Sequence, residues 1–192
     1  FIPHPKLQVD AVHVNHALAD FGLNMHRRIV AICPGAEFGD AKQWPAEHFA
    51  ALSNSLIAEG WQVWIFGSPN DAPIAEAILE DINNEDIKYC INLSGRTTLT
   101  QAIDLISVTS VTVSNDSGLM HIAAALGRPV VALFGSTSSG FTPPLAKRVE
   151  LLATNIECRP CFKRTCPYGH RRCLTELEPS QTITAVHRLV DE

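Results

Sequence analysis

Six short apolar runs rich in β-branched residues, at 29–33, 61–66, 87–93, 111–113, 130–134 and 149–152, alternate with stretches of helical periodicity. Strands this apolar have no polar face to turn to water, so they belong in a sheet covered on both sides by crossover helices. The pattern predicts an α/β fold with a Rossmann-like, doubly wound parallel sheet. Helix boundaries agree with it. Pro45 stands in the first turn of a helix running to Gly60, Thr98 and Gln101 form a capping box, and a last helix follows Pro179 and Ser180.

The repeat starts at Arg28. Residues 1–27 carry two early prolines and then a mostly helical apolar pattern, which suits an interdomain linker and helical lead-in. Residues 28–192 read as one Rossmann-like domain with a cysteine-rich loop at 158–173. The first residue is Phe1 and no signal peptide is visible, so the chain is expected to begin inside a longer polypeptide and to work in the cytoplasm. At 192 residues and 46% hydrophobic content it can bury a sizeable core. A net charge of −5 argues against general nucleic-acid binding. No apolar run approaches the roughly 18 residues that span a bilayer.

In such a sheet ligands bind beyond the carboxyl ends of the strands, where this chain places PGAEFGDAK, GSPND, SGRTT, NDSG and GSTSSG. Neither GxGxxG after the first strand nor GxxxxGK[ST] is present, so the ligand is expected to be a nucleotide conjugate held in another way. The NDSG turn is the most informative of the five loops, although such strand-to-helix turns also occur for purely structural reasons. Asp116 is a natural helix N-cap, which would leave the amides of Ser117, Gly118 and Leu119 free for a phosphate at the positive end of the helix dipole. His121 follows on the same predicted face, and reads either as a ligand contact or as a satisfied core histidine. Lys42 reads either as a solvated loop lysine or, between a glycine loop and Trp44-Pro45, as a site cation.

The runs CPGAEFGDAKQWP at 33–45, FGSPND at 66–71, LSGRTTL at 93–99, NDSGLMHIAAALGRPVVALFGSTS at 115–138 and FTPP at 141–144 resemble the ADP-heptose:lipopolysaccharide heptosyltransferases, in their C-terminal half. The resemblance covers nearly the whole chain. It implies the donor-binding half of a GT-B glycosyltransferase that transfers L-glycero-D-manno-heptose from ADP-heptose to the lipopolysaccharide inner core, with inversion and without an obligatory metal or cofactor. The acceptor and the general base would belong to the missing N-terminal domain, and peripheral contact with the inner face of the inner membrane would be compatible with such an acceptor. On this resemblance Lys42 would be the catalytic cation at the phosphates. Asp116, Ser117, Gly118 and His121 would hold diphosphate and heptose, and Arg96, Thr97 and Asp71 would lie near the adenosine. Relatives commonly have Pro-Asp where this chain has Ser139-Gly140, which implies a looser loop there. Two other readings stay open: a non-catalytic nucleotide-binding module, and another GT-B sugar-nucleotide enzyme such as an epimerase.

The cysteines divide into Cys33 and Cys90, in apolar strand-like runs, and Cys158, Cys161, Cys166 and Cys173, in the loop. The loop spacing C-x2-C-x4-C-x6-C is open to bound zinc, with His170 as a spare ligand, to paired thiols, or to free thiols. Five basic residues and no acidic one share this loop. They form either a solvated face or an attractor for an anionic acceptor.

Overall fold

A computed structural model of the chain describes residues 4–191; residues 1–3, in the expected lead-in, and Glu192, at the end of the expected domain, lie outside the described residues. Strands β1 (Ile29–Cys33), β2 (Gln62–Ile65), β3 (Cys90–Asn92), β4 (Val111–Asn115), β5 (Val130–Leu133) and β6 (Val149–Leu152) form one sheet in the order β3-β2-β1-β4-β5-β6. Every adjacent pair is parallel. This is the Rossmann-like, doubly wound sheet read from the sequence.

Alternation within the central strands feeds two cores. Val30 and Ile32 of β1 join Phe49, Leu52 and Leu56 of α2 (Ala46–Ala58), Ile78 of α3 (Ala72–Glu80) and Val186 of α7 (Pro179–Asp191). Ile29, Ala31 and Cys33 join Leu105 of α4 (Leu99–Ile106) and Met120 and Ala123 of α5 (Gly118–Ala125). The helix signals are local. Pro45 is the N-cap residue of α2, Gly60 closes it at φ +89°, and the Thr98–Gln101 box opens α4. The lead-in forms α1 (Ala11–Asp20), capped by Asp10, and buries Val14, Ala17 and Leu18 in the second core.

Two strand readings shift. The run at 87–93 divides into a single 3-10 turn at Ile87–Tyr89 and a short β3, because it lies at the sheet edge with one neighbour to pair with. Strand β4 continues two residues past Val113, since Asn115 pairs with Leu133 in the β5 ladder. No helix among the described residues is long and apolar enough to cross a membrane.

Candidate functional site

The chain reverses direction across the sheet between β1 and β4, so the loops after those strands part and leave a crevice at their carboxyl ends. A cleft of about 510 Å³ opens there. Its polar rim comes from Gly35, Gly67, Ser68, Asp71, Thr97, Ser117 and Gly118, and its apolar wall includes Phe66, Leu99, Ala102, Leu119 and Ile122. Four of the five glycine-bearing loops contribute. The volume suits a drug-sized or nucleotide-sized ligand.

Close backbone approach shapes this cleft. A side chain at Gly35 would put its Cβ 2.5 Å from the Asp71 carboxylate, which accepts from the Ser68 amide and hydroxyl, each at 2.7 Å. Asp71 is thus seated between the first two loops. Burial pushes the thiol of Cys33, also on the cleft wall, up to about 12, so it stays neutral.

Beside the cleft, Lys42 and Asp116 meet across the switch point. Lys42 Nζ lies 2.6 Å from Asp116 Oδ2, with 13% and 4% of the two side chains exposed. Thr137 Oγ1 donates to the same oxygen at 2.7 Å and Thr142 Oγ1 to Oδ1 at 3.2 Å. The ammonium also stands 4.8 Å from the centre of the Phe38 ring. The scaffold beneath is rigid: Asn115 accepts from the Trp44 amide at 3.1 Å and donates to the Pro34 carbonyl at 2.8 Å, bolting the end of β4 to the loop after β1.

Asp116 is therefore not the helix N-cap that its sequence position suggests. Because β4 runs on to Asn115, α5 starts at Gly118 with Ser117 as its N-cap residue, and the Ser117 hydroxyl pairs with Ser114 rather than capping. A cap bond is worth about 1 kcal/mol, whereas hydrogen bonds to a charged partner reach about 1.5–3 kcal/mol, so the carboxylate turns to Lys42 and the two threonines. The first-turn amides, now from Gly118 onward, have no side-chain cap.

Other expected residues separate. Thr97, Asp71, Ser117 and Gly118 line the cleft. Arg96 is exposed, donates to the Asn92 carbonyl at 3.1 Å and faces the Phe21 ring, away from the cleft lining. His121 is exposed, so it is not a core histidine. It lines a separate depression with Phe141, Thr142 and Leu145, one turn past the α5 N-terminus rather than over it. The Ser139-Gly140 segment is held by Ser138, whose carbonyl accepts from the Phe141 amide at 3.0 Å and whose hydroxyl accepts from the Gly140 amide at 3.2 Å.

A family model for glycosyltransferase family 9 (heptosyltransferase) matches residues 3–171. The chain belongs to glycosyltransferase family 9. It is 41% identical to lipopolysaccharide heptosyltransferase 2 of Salmonella typhimurium, over 98% of this chain and 54% of that protein. It is likewise 41% identical to lipooligosaccharide heptosyltransferase 2 of Haemophilus influenzae, over 97% of this chain and 55% of that protein. The solved structure of Escherichia coli ADP-heptose lps heptosyltransferase II superposes with a TM-score of 0.87 at 39% identity, covering 98% of this chain and 55% of that one. This family 9 chain thus spans about half the length of the curated relatives it matches.

Four residues in or against this candidate site carry no distinctive signal in the sequence. Thr137 and Thr142 sit in a Ser/Thr- and Pro-rich stretch that reads as turn, Phe38 reads as a loop aromatic, and Arg159 is one of five clustered cations. Arg159 is not part of a solvated face. It donates to the carbonyls of Gly135, Thr137 and Thr154 at 3.1, 3.0 and 3.2 Å, clamping the loop after β5 from behind. Arg172 pairs with Glu176 at the surface and Arg164 faces Phe38, so Arg159 is the member of the basic run that is built into the fold.

Proposed function

We propose that this chain is the donor-binding half of an inverting GT-B glycosyltransferase that moves L-glycero-D-manno-heptose from ADP-heptose to the lipopolysaccharide inner core. The observation that carries this reading is the switch-point cleft with the Lys42–Asp116 pair beside it, in a chain about 40% identical to heptosyltransferase 2 proteins. The adenosine would lie against Leu99, Ala102, Leu119 and Ile122, near Thr97, with a ribose hydroxyl on Asp71. Diphosphate would take the free amides at the start of α5, and Lys42 would balance the negative charge that grows on the leaving group. Asp116, held by Lys42 and two threonines, is suited to accept from heptose hydroxyls.

Lys42 already has a carboxylate partner, so its service to phosphate requires a shared or exchanged contact. A cation whose pull strengthens as the leaving diphosphate gains charge favours the transition state over bound donor. The acceptor and the general base would lie in an N-terminal half joined through residues 1–27, at the cytoplasmic face of the inner membrane. His121, in the depression beside Thr142, would stand nearer the sugar than the adenine.

The test is heptose transfer by the longer polypeptide to a heptose-terminated inner-core acceptor, followed by mass spectrometry. One added heptose with inverted anomeric configuration, and a loss of at least tenfold in kcat for Lys42→Met, is expected. Transfer only from a uridine sugar nucleotide would reassign the site to another GT-B enzyme.

A further inference from the structure

Residues 153–171 run between β6 and α6 (Arg172–Thr175) without a helix or strand, a length at which a loop in a compact domain needs some other constraint. Three cysteines of this loop, Cys158, Cys161 and Cys166, and Cys173 in the first turn of α6 line one cavity of about 10 Å³, room for a single small sphere. A second observation points into the same space. Ser136, 1% exposed, lines this cavity, and its buried hydroxyl has no hydrogen-bond partner. Cys166 opens a turn that uses φ +72° at Gly169, whose amide donates to the Cys166 carbonyl at 3.1 Å, and φ +46° at Arg171. Phe162, just after the Cys158-x2-Cys161 pair, also has positive φ.

We propose that Cys158, Cys161, Cys166 and Cys173 form a structural four-thiolate site for a thiophilic divalent ion, zinc or ferrous iron. On binding, each thiol releases one proton to solvent and forms one metal–sulfur bond, of about 2.3 Å for zinc, giving a tetrahedral centre of net charge −2. Arg159, Lys163, Arg164, Arg171 and Arg172, with no acidic residue between Cys158 and Cys173, supply the compensating charge. No group of three or more His, Cys, Asp or Glu side chains among the described residues stands in a metal-holding arrangement, so the site is not preformed and binding requires the four sulfurs to draw together on the ion. The hydroxyl of Ser136 is then a donor for one of the thiolates.

The site would be structural, with its consequence one layer away. The loop it closes reaches the donor side directly: the Arg164 carbonyl accepts from the Ala41 amide at 3.1 Å, the Phe162 amide donates to the Ser136 carbonyl at 2.8 Å, and Arg159 holds Thr137. Ala41 and Thr137 adjoin the Lys42–Asp116 pair. The metal site itself rests on the loop alone and stands whether or not ADP-heptose is the donor.

The 192-residue chain, reduced, loaded separately with zinc and with ferrous iron and then dialysed, is assayed for metal content and thiol reactivity. One ion per chain is expected, and the metal found in protein as isolated distinguishes zinc from iron. The four loop thiols should resist a thiol reagent until chelator is added, while Cys33 and Cys90 react only on unfolding. Cobalt in place of zinc should give the intense visible absorption of a tetrahedral thiolate centre. Cys158→Ser and Cys166→Ser should each weaken it. Should these variants fail to fold, the wild-type cobalt spectrum and thiol protection decide alone. No stoichiometric metal after loading, loop thiols that react equally fast with and without zinc, or an octahedral cobalt spectrum would each overturn the proposal.

Discussion

Lys42 Nζ stands 2.6 Å from Asp116 Oδ2, joining the loop after β1 to the end of β4 through an ion pair almost withdrawn from water. Such a pair is expensive to desolvate, and removing one partner leaves the other charge buried and uncompensated. Lys42→Met should therefore cost about 3 kcal/mol of stability, besides any loss of function. Adding Asp116→Asn to it should restore part of that loss, because the stranded carboxylate is gone. Urea unfolding of the two single variants and the double variant measures the coupling; strictly additive losses would mean that the pair contributes nothing as a pair.

Asn115 predicts a different outcome, loss of placement rather than of charge. Asn115→Ala leaves the Trp44 amide without its acceptor in a buried position, a cost of about 1–3 kcal/mol. It also frees the segment that carries Lys42. Donor affinity should fall together with stability, whereas Asn115→Asp, which keeps the acceptor oxygen but loses the donor to Pro34, should retain the Trp44 contact. Calorimetric titration beside thermal unfolding separates the two effects.

Gly35→Ala should expel the Asp71 carboxylate from its seat, since the new methyl would stand 2.5 Å from it. The displaced side chain would give up its bonds to Ser68, and adenine-nucleotide affinity should drop at least tenfold. In an Asp71→Ala background the same substitution should cause little additional loss of stability. That non-additivity, read by thermal unfolding, is the check.

The sheet was legible because strands buried on both faces must be apolar throughout. Helix ends were legible where caps are local, as at Thr98–Gln101. Asp116 misleads for a physical reason. An aspartate before a glycine opening a helix looks like a cap, and nothing nearby in sequence announces that Lys42, 74 residues away, will claim its carboxylate. Arg96 is similar: the cation belongs to a loop at the cleft, yet its guanidinium is taken by the Asn92 carbonyl behind it. Thr137 and Thr142 became site residues only through tertiary packing. His121 opens onto a depression formed with Phe141 and Thr142, neighbours that only tertiary packing brings to it.

Two buried thiols give the chain an alkaline limit. Burial pushes Cys33 and Cys90 each to about 12 from an ordinary 9.0. In the unfolded chain these thiols ionise near 9.0, while the native state keeps both protons, so the unfolded state binds fewer protons as pH rises. Their contribution is fully present below pH 9 and declines toward pH 12, by about 1.4 kcal/mol per pH unit for each thiol. Urea unfolding at pH 8 and pH 10 should show this decline, and a Cys33→Ala/Cys90→Ala variant should lose stability less steeply over that interval.

The central claim is that the switch-point cleft holds an ADP-linked sugar with Lys42 at its charged end. Calorimetric titration of the chain with ADP-heptose, ADP, UDP and UDP-GlcNAc, repeated on Lys42→Ala, tests it most directly. The account predicts saturable one-to-one binding of the two adenine ligands, tighter for ADP-heptose, weak or absent uridine binding, and at least a tenfold loss in the folded variant. Uridine preference, or adenine-ligand affinity unchanged by Lys42→Ala, would contradict it.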